Sequence, residues 1–161
     1  MNSEILTLTE FAAKLKNLRK DGLRVVFTNG CFDILHVGHV RYLTAARSKG
    51  DILVVGLNSD LSVRKIKGEK RPVVPENQRA EVLAGLRCVD YVILFDEADP
   101  LKLIQSICPD VLVKGADWSE EAIIGASFVK ANGGRVERIA VVPETSTTRI
   151  IQKIIETELT P

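Results

Sequence analysis

The chain has only two histidines, His36 and His39, and both stand in one string, Asn29-Gly30-Cys31-Phe32-Asp33-Ile34-Leu35-His36-Val37-Gly38-His39. Residues three apart share a helical face with Cβ atoms roughly 5–6 Å apart, so both imidazoles can address one anionic group. Gly38 between them removes a side chain where a phosphate would press on the backbone. Taken alone, an H-x-G-H pattern is equally open to a plainer reading, one histidine capping a helix and the other packing in a core.

The elements around the string must place it. Residues 24–28 (Arg-Val-Val-Phe-Thr) form a β-branched and aromatic run that ends at Asn29-Gly30, and residues 37–49 read as a helix closed by Gly50. In open α/β sheets ligands bind at the carboxyl ends of strands, where a following helix offers free N–H groups and a positive dipole end to phosphate. His36 and His39 stand at that mouth.

Further runs at 52–57, 89–95, 111–113 and 136–142 are apolar almost throughout, the pattern of strands buried on both faces of a parallel sheet. Helical stretches fall between them at about 59–66, 75–87, 100–107 and 120–132, with a last one near 147–158. An N-terminal helix over about 8–20 follows from the capping-box spacing of Thr7 and Glu10 and from Phe11, Leu15 and Leu18 at helical intervals. The expected fold is α/β, an open doubly wound parallel sheet of five strands, forming one domain over residues 1–161. The one extended polar loop, 67–72, carries Lys67, Lys70 and Arg71 around Gly68 and reads as a mobile lid or a solvated loop.

Composition narrows the function. Twenty-two basic against twenty-one acidic residues leave a formal charge of +1, so no global field favours nucleic acid or an anionic membrane, and any anion site must be local. No apolar run approaches the roughly 18 residues that span a bilayer, and residues 1–8 lack a basic-then-apolar leader, so a cytoplasmic protein is expected. Cys31, Cys88 and Cys108 are widely spaced with no C-x-x-C pair, which suits reduced packing residues and no metal site of the protein's own. A redox or regulatory nucleotide module loses its support because the first strand is not followed by G-x-G-x-x-G, and G-x-x-x-x-G-K-[ST] occurs nowhere.

The string Gly30-Cys-Phe-Asp-Ile-Leu-His-Val-Gly-His39 resembles the G-x-F-D-x-x-H-x-G-H motif of the cytidylyltransferase-like nucleotidyltransferases. The likeness continues through Asn58-Ser-Asp60, Lys67-Gly68, Arg71-Pro72, Gln78-Arg79, Val89-Asp90, Val113-Lys-Gly-Ala-Asp117 and Ser146-Thr-Thr148. In that order and spacing the chain is similar to the bacterial heptose 1-phosphate adenylyltransferases.

The resemblance implies ATP and D-glycero-β-D-manno-heptose 1-phosphate as substrates, Mg²⁺ on the phosphates, and ADP-heptose with pyrophosphate as products, for the inner core of lipopolysaccharide. It implies catalysis by His36 and His39 with Lys65 and Lys67. Nucleotide binding would fall to Asn29, Gly30, Phe32, Gly38, Lys114, Gly115, Asp117, Ser146, Thr147 and Thr148, and the acceptor to Asp33, Asn58, Asp60, Arg79 and Arg87. It also implies a homo-oligomer and a separate heptose kinase.

Several of these residues have ordinary alternatives: Asp33 as an Asx turn or cap, Arg79 and Arg87 as solvated helix arginines, Trp118 as a half-buried indole, and the Ser-Thr-Thr run as a helix cap. One departure bears on nucleotide choice. Related cytidylyltransferases carry an arginine five residues ahead of the serine, where this chain has Val141, which weakens the alternative of a cytidylyltransferase acting on glycerol 3-phosphate.

Overall fold

The computed structural model describes residues 3–140 and 145–159, with side chains as far as Thr157. Its centre is a parallel sheet whose strands are β1 (Glu4–Leu6), β2 (Val25–Gly30), β3 (Ile52–Asn58), β4 (Tyr91–Phe95), β5 (Val111–Gly115) and β6 (Arg135–Ile139), in the spatial order β1-β4-β3-β2-β5-β6.

The sheet has six strands, not five. The missed strand, β1, is three residues long and lies at the edge, pairing Glu4 with Tyr91 and Leu6 with Ile93. Three residues give no readable alternation, so only the neighbouring strand defines it.

Every residue of β3 is buried, as a strand covered on both faces must be. Successive residues of β2 feed opposite cores: Val25 and Phe27 join Phe11, Ile93, Ile104 and Val129 on one face, and Val26 joins Leu43, Leu83, Val92 and Val113 on the other. The first face is covered by α1 (Leu8–Lys20), α5 (Leu101–Ile107) and α6 (Ala126–Ala131), and the second by α2 (Val37–Arg47) and α4 (Glu76–Ala84).

The capping box of α1 is formed: Thr7 Oγ1 accepts from the Glu10 amide at 3.2 Å, and the Glu10 carboxylate accepts from the Thr7 amide at 2.8 Å. Such a cap stabilises a helix by roughly 1 kcal/mol.

The helix expected over 120–132 is broken into a 3-10 turn, Glu120–Ala122, and α6. Gly125 separates them at φ 87°, and a Cβ there would lie 2.7 Å from Ile104 Cδ1. The strand expected over 136–142 is observed as Arg135–Ile139, and residues 141–144, with Val141 among them, lie outside the described residues.

Two remaining helices bear on the site. Helix α3 (Asp60–Lys67) follows β3 and is capped by Ser59, and α7 (Thr147–Leu159) is tied to the motif loop by Thr147 Oγ1, which donates to the Ile34 carbonyl at 3.2 Å. Strand order reverses at β2: β3 and β4 lie to one side of it, β5 to the other. The crevice beyond the β2 and β5 ends is therefore where a ligand is expected.

Candidate functional site: a histidine pair at the sheet reversal

At the end of β2 the chain turns sharply through Phe32, at φ 42°. A non-glycine residue in this left-handed region costs of order 1–3 kcal/mol and persists only where packing fixes it. Phe32 is buried against the second core, and its ring stands edge-on to His39 at 5.3 Å. Gly30 makes room for that ring, since a Cβ on it would come within 3.0 Å of Phe32 Cε2.

His36 is the N-cap of α2 and His39 lies in its first turn, with the His36 carbonyl accepting from the His39 amide at 2.9 Å. The two rings stack, centroids 3.9 Å apart and planes 24° apart. Burial pushes both imidazoles below their usual range, and His39, where the neighbouring His36 adds to burial, is lowered to about 4. Both are therefore neutral near pH 7. Nδ1 of each ring is enclosed without a hydrogen-bond partner among the described residues, which leaves Nε2 for a ligand. Gly38 is required between them, because a Cβ there would lie 2.5 Å from Thr145 Oγ1 and 2.9 Å from His36 ring atoms.

Two adjoining lobes open at this point. The first, of about 440 Å³, is lined by His36, Gly38, Tyr42, Gly115, Asp117 and Ser146. The second, of about 430 Å³, is lined by Asp33, Asn58, Ile66, Arg71, Ile123 and Thr148. They share Asn29, Gly30, Cys31, Phe32, His39, Lys67, Lys114, Trp118 and Thr147.

Lys114 leaves the end of β5 and donates to both the backbone and the side-chain oxygen of Asn29 at the end of β2, bridging the strands between which the order reverses. Burial lowers its ammonium to about 8, so it is mostly charged at neutral pH and faces both lobes.

The other expected residues divide. Lys67, at the end of α3, lines both lobes, whereas Lys65 is exposed and lines neither. Asp33 is buried and accepts from Arg71 Nε at 2.6 Å and from the amides of Val73 and Val74. Burial alone would raise its pKa, but those three donors outweigh it and lower the carboxyl below the usual range. Its carboxylate thus fastens the 71–74 segment over the second lobe.

Arg79 is an internal brace, 1% exposed, donating to the carbonyls of Val74, Cys31 and Asn58 and to Asp60 Oδ1. Asp60 is the ionic partner in that brace, and Asn58 Nδ2 donates to Ser62 Oγ at 2.9 Å. Arg87 is exposed beside Val40, Thr44 and Cys88 in a separate hollow, apart from both lobes. Burial raises the Cys31 thiol, which keeps it protonated and poorly nucleophilic.

Sequence reading missed Tyr42, whose hydroxyl bridges Thr28 Oγ1 at 2.8 Å and the Val113 carbonyl at 3.2 Å beneath the first lobe. A tyrosine three residues beyond His39 lies on the same helical face, and that spacing was its only signal. It missed Arg71 as the partner of Asp33 as well, because a side-chain clasp across 38 positions leaves no local pattern.

Comparison with known proteins agrees with this geometry. The family model described as cytidylyltransferase-like matches residues 27–153. The bifunctional protein HldE of Citrifermentans bemidjiense is 56% identical over 154 residues, covering 96% of this chain and 32% of that protein. HldE of Geobacter sulfurreducens is 54% identical, covering 89% and 31%. The chain thus spans about a third of the length of these curated relatives.

Among solved structures, a lipopolysaccharide core biosynthesis protein from Thermoplasma volcanium GSS1 superposes with a TM-score of 0.62 at 32% identity, covering 75% of this chain and 98% of that one. The pantoate-β-alanine ligase of Francisella tularensis, at 15% identity and a TM-score of 0.65, covers 99% and 80% and shares the fold. With most of its length matched by the family model and the histidine pair set at the sheet reversal, the chain belongs to the cytidylyltransferase-like family of nucleotidyltransferases.

Proposed function

We propose that the chain transfers AMP from ATP to D-glycero-β-D-manno-heptose 1-phosphate, giving ADP-heptose and pyrophosphate for lipopolysaccharide core synthesis. The observation that carries this reading is the stacked pair His36 and His39 between two lobes, one lined by Gly115, Asp117 and Ser146, the other by Asn58 and Arg71. The sugar is supported by the high identity to HldE proteins and by the likeness to the lipopolysaccharide core biosynthesis protein.

A phosphate oxygen of the acceptor attacks the α-phosphorus, the bond to the β-phosphate oxygen breaks, and pyrophosphate leaves with the electron pair. No enzyme nucleophile is needed, so catalysis is positioning and charge stabilisation. His36 and His39 donate through Nε2 to the α-phosphate, and Lys67 and Lys114, which face both lobes, hold the two phosphates that must meet.

Asp117 is the one carboxylate in the first lobe, and no group of three or more metal-binding side chains occurs among the described residues. That donor set fits Mg²⁺ carried on the nucleotide, where it would neutralise phosphate charge. A separate heptose kinase would supply the acceptor. We place the enzyme in the cytoplasm, as a homo-oligomer. None of the described helices is long and apolar enough to cross a membrane.

The test is pyrophosphate release across a panel of nucleotides and sugar phosphates. The expected result is turnover with ATP and the heptose 1-phosphate. Preferred use of CTP with glycerol 3-phosphate would overturn the reading.

A further inference from the structure

The two strands that flank the crevice part early. Among the described residues β2 and β5 pair at only two places, Val26 with Val111 and Phe27 with Leu112. Their outer edges stay paired much further, β2 with β3 as far as Gly30 and Leu57, and β5 with β6 as far as Gly115 and Ile139. The first lobe opens between the parted ends, lined there by Asn29, Gly30, Lys114 and Gly115.

Two side chains span the gap. Lys114 Nζ reaches both oxygens of Asn29. One residue deeper, Tyr42 of α2 sets its hydroxyl between Thr28 Oγ1, at 2.8 Å, and the Val113 carbonyl, at 3.2 Å. A carbonyl can only accept, so the phenol donates to Val113 and accepts from Thr28. The Thr28 hydroxyl, the Tyr42 hydroxyl and the Val113 carbonyl thus form a chain in which each bond polarises the next. Burial, with the Asp117 carboxylate adding to it, pushes the phenol up to about 12, so it keeps the proton that it donates.

The placement matters because of what each end of the chain carries. Tyr42 lies one helical turn beyond His39 on the same face of α2. Thr28 belongs to the strand that delivers the histidine string, and Val113 directly precedes Lys114. One hydroxyl therefore ties the helix of the histidines to both strands of the crevice.

We propose that Tyr42 is a positioning residue for nucleotidyl transfer: its hydroxyl sets the separation of β2 and β5, and with it the placement of His36 and His39 relative to Lys114. With its proton committed to Val113, the hydroxyl acts through the groups that it places. The assignment rests on the nucleotidyl-transfer reading above and adds to it what holds the donors in register.

The experiment compares the full chain with Tyr42→Phe, Thr28→Val and the double variant. It measures kcat and KM in pyrophosphate release well below the melting midpoint, the midpoint itself, and the imidazole Hε1 signals by proton–carbon NMR. The chain has two histidines, so there are two such signals, and rings stacked at 3.9 Å shift each other, which makes the signals a gauge of the pair.

Tyr42→Phe leaves the fully buried Thr28 hydroxyl without this partner, so the midpoint should fall. Misplaced donors should lower kcat by about tenfold or more, with KM for ATP within about twofold of the parent and both Hε1 signals displaced. Thr28→Val, which keeps the bond to Val113, should lose less kcat than Tyr42→Phe. Replacing both hydroxyls by apolar groups of the same shape is nearly neutral for stability. The double variant should therefore recover most of the midpoint while kcat and the Hε1 signals remain those of Tyr42→Phe.

A kcat that returns together with the midpoint would reduce Tyr42 to ordinary packing and overturn the assignment. Parent-like Hε1 signals in Tyr42→Phe, beside an active parent chain, would overturn it too while leaving nucleotidyl transfer intact. A parent chain that releases no pyrophosphate from any nucleotide in the panel would overturn both.

Discussion

The imidazole of His39 lies beneath that of His36, ring on ring at 3.9 Å, with neither Nδ1 bonded to a described residue. Two cationic rings cannot rest at that distance away from water, which is why burial and mutual repulsion together hold His39 at about 4. The histidine pair is therefore neutral near pH 7, and a phosphate bound beside it would favour the charged forms of the rings.

This depression makes stability fall with acid. In the unfolded chain His39 takes its proton near the ordinary histidine value of 6.5, while in the folded chain it waits until about 4. The contribution is fully present above pH 6.5 and is lost progressively as pH falls toward 4. Thermal midpoints of the ligand-free protein between pH 7 and 4.5 should show this decline. His39→Asn should flatten it, and an unaltered pH slope in that variant would mean that other groups carry the effect.

Removing either donor should damage the chemical step more than binding. His36→Ala or His39→Ala is expected to lower kcat by at least about a hundredfold, the usual cost of one preorganised transition-state donor. Circular dichroism should remain that of the parent chain. A kcat near that of the parent in both variants would remove the histidines from the mechanism.

Gly38→Ala tests the geometry with a single methyl group. Its Cβ would meet Thr145 Oγ1 at 2.5 Å and His36 ring atoms at 2.9 Å, so the ring or the 145–147 segment must move. A shift of about 1 Å in a reacting group can cost a hundredfold. Activity should fall by that order while the thermal midpoint changes little, and retention of more than half the activity would show that His36 tolerates displacement.

The chain made some of this legible and hid the rest for physical reasons. The strands from β2 onward were readable because burial on both faces leaves runs such as Ile52 to Leu57 without polar interruption. Strand β1 was not, because three residues at a sheet edge carry no period. The histidine string was readable because its chemistry and its placement after a strand coincide.

Side-chain partners were not readable. Asp33 and Arg71 are 38 positions apart, and nothing local in either segment requires the other. The lysines show the same limit at finer scale: Lys65 and Lys67 are equivalent in sequence, and only the pitch of α3 turns one toward the lobes and the other to solvent.

That difference is directly testable. Lys65→Ala should leave KM and kcat unchanged, whereas Lys67→Ala should raise KM for the nucleotide or the acceptor several-fold. Both thermal midpoints should hold, since surface substitutions usually change stability by less than about 0.5 kcal/mol. Equal kinetic loss in both variants would contradict the placement of Lys65 outside the lobes.

Arg79 offers the sharpest contrast between a substrate contact and a brace. Its guanidinium ties three carbonyls from separate segments, those of Cys31 after β2, Asn58 at the end of β3 and Val74 in the loop before α4, and it pairs with Asp60 at 2.7 Å. Replacing it with methionine keeps much of the volume but leaves the carbonyls without these donors and Asp60 without its cation. Breaking a buried pair from one side costs about 3–5 kcal/mol, and for a chain of this size each kcal/mol moves the midpoint by roughly 2–4 °C. Arg79→Met should therefore melt roughly 10 °C or more below the parent, with kcat lost alongside because Cys31 and Val74 flank Phe32 and Asp33. Arg79→Lys should recover only part of the midpoint, since one ammonium cannot reproduce a planar fork reaching four acceptors. Differential scanning fluorimetry and KM for the acceptor decide between the roles. A midpoint within about 2 °C of the parent, with a raised acceptor KM, would make Arg79 a substrate contact after all.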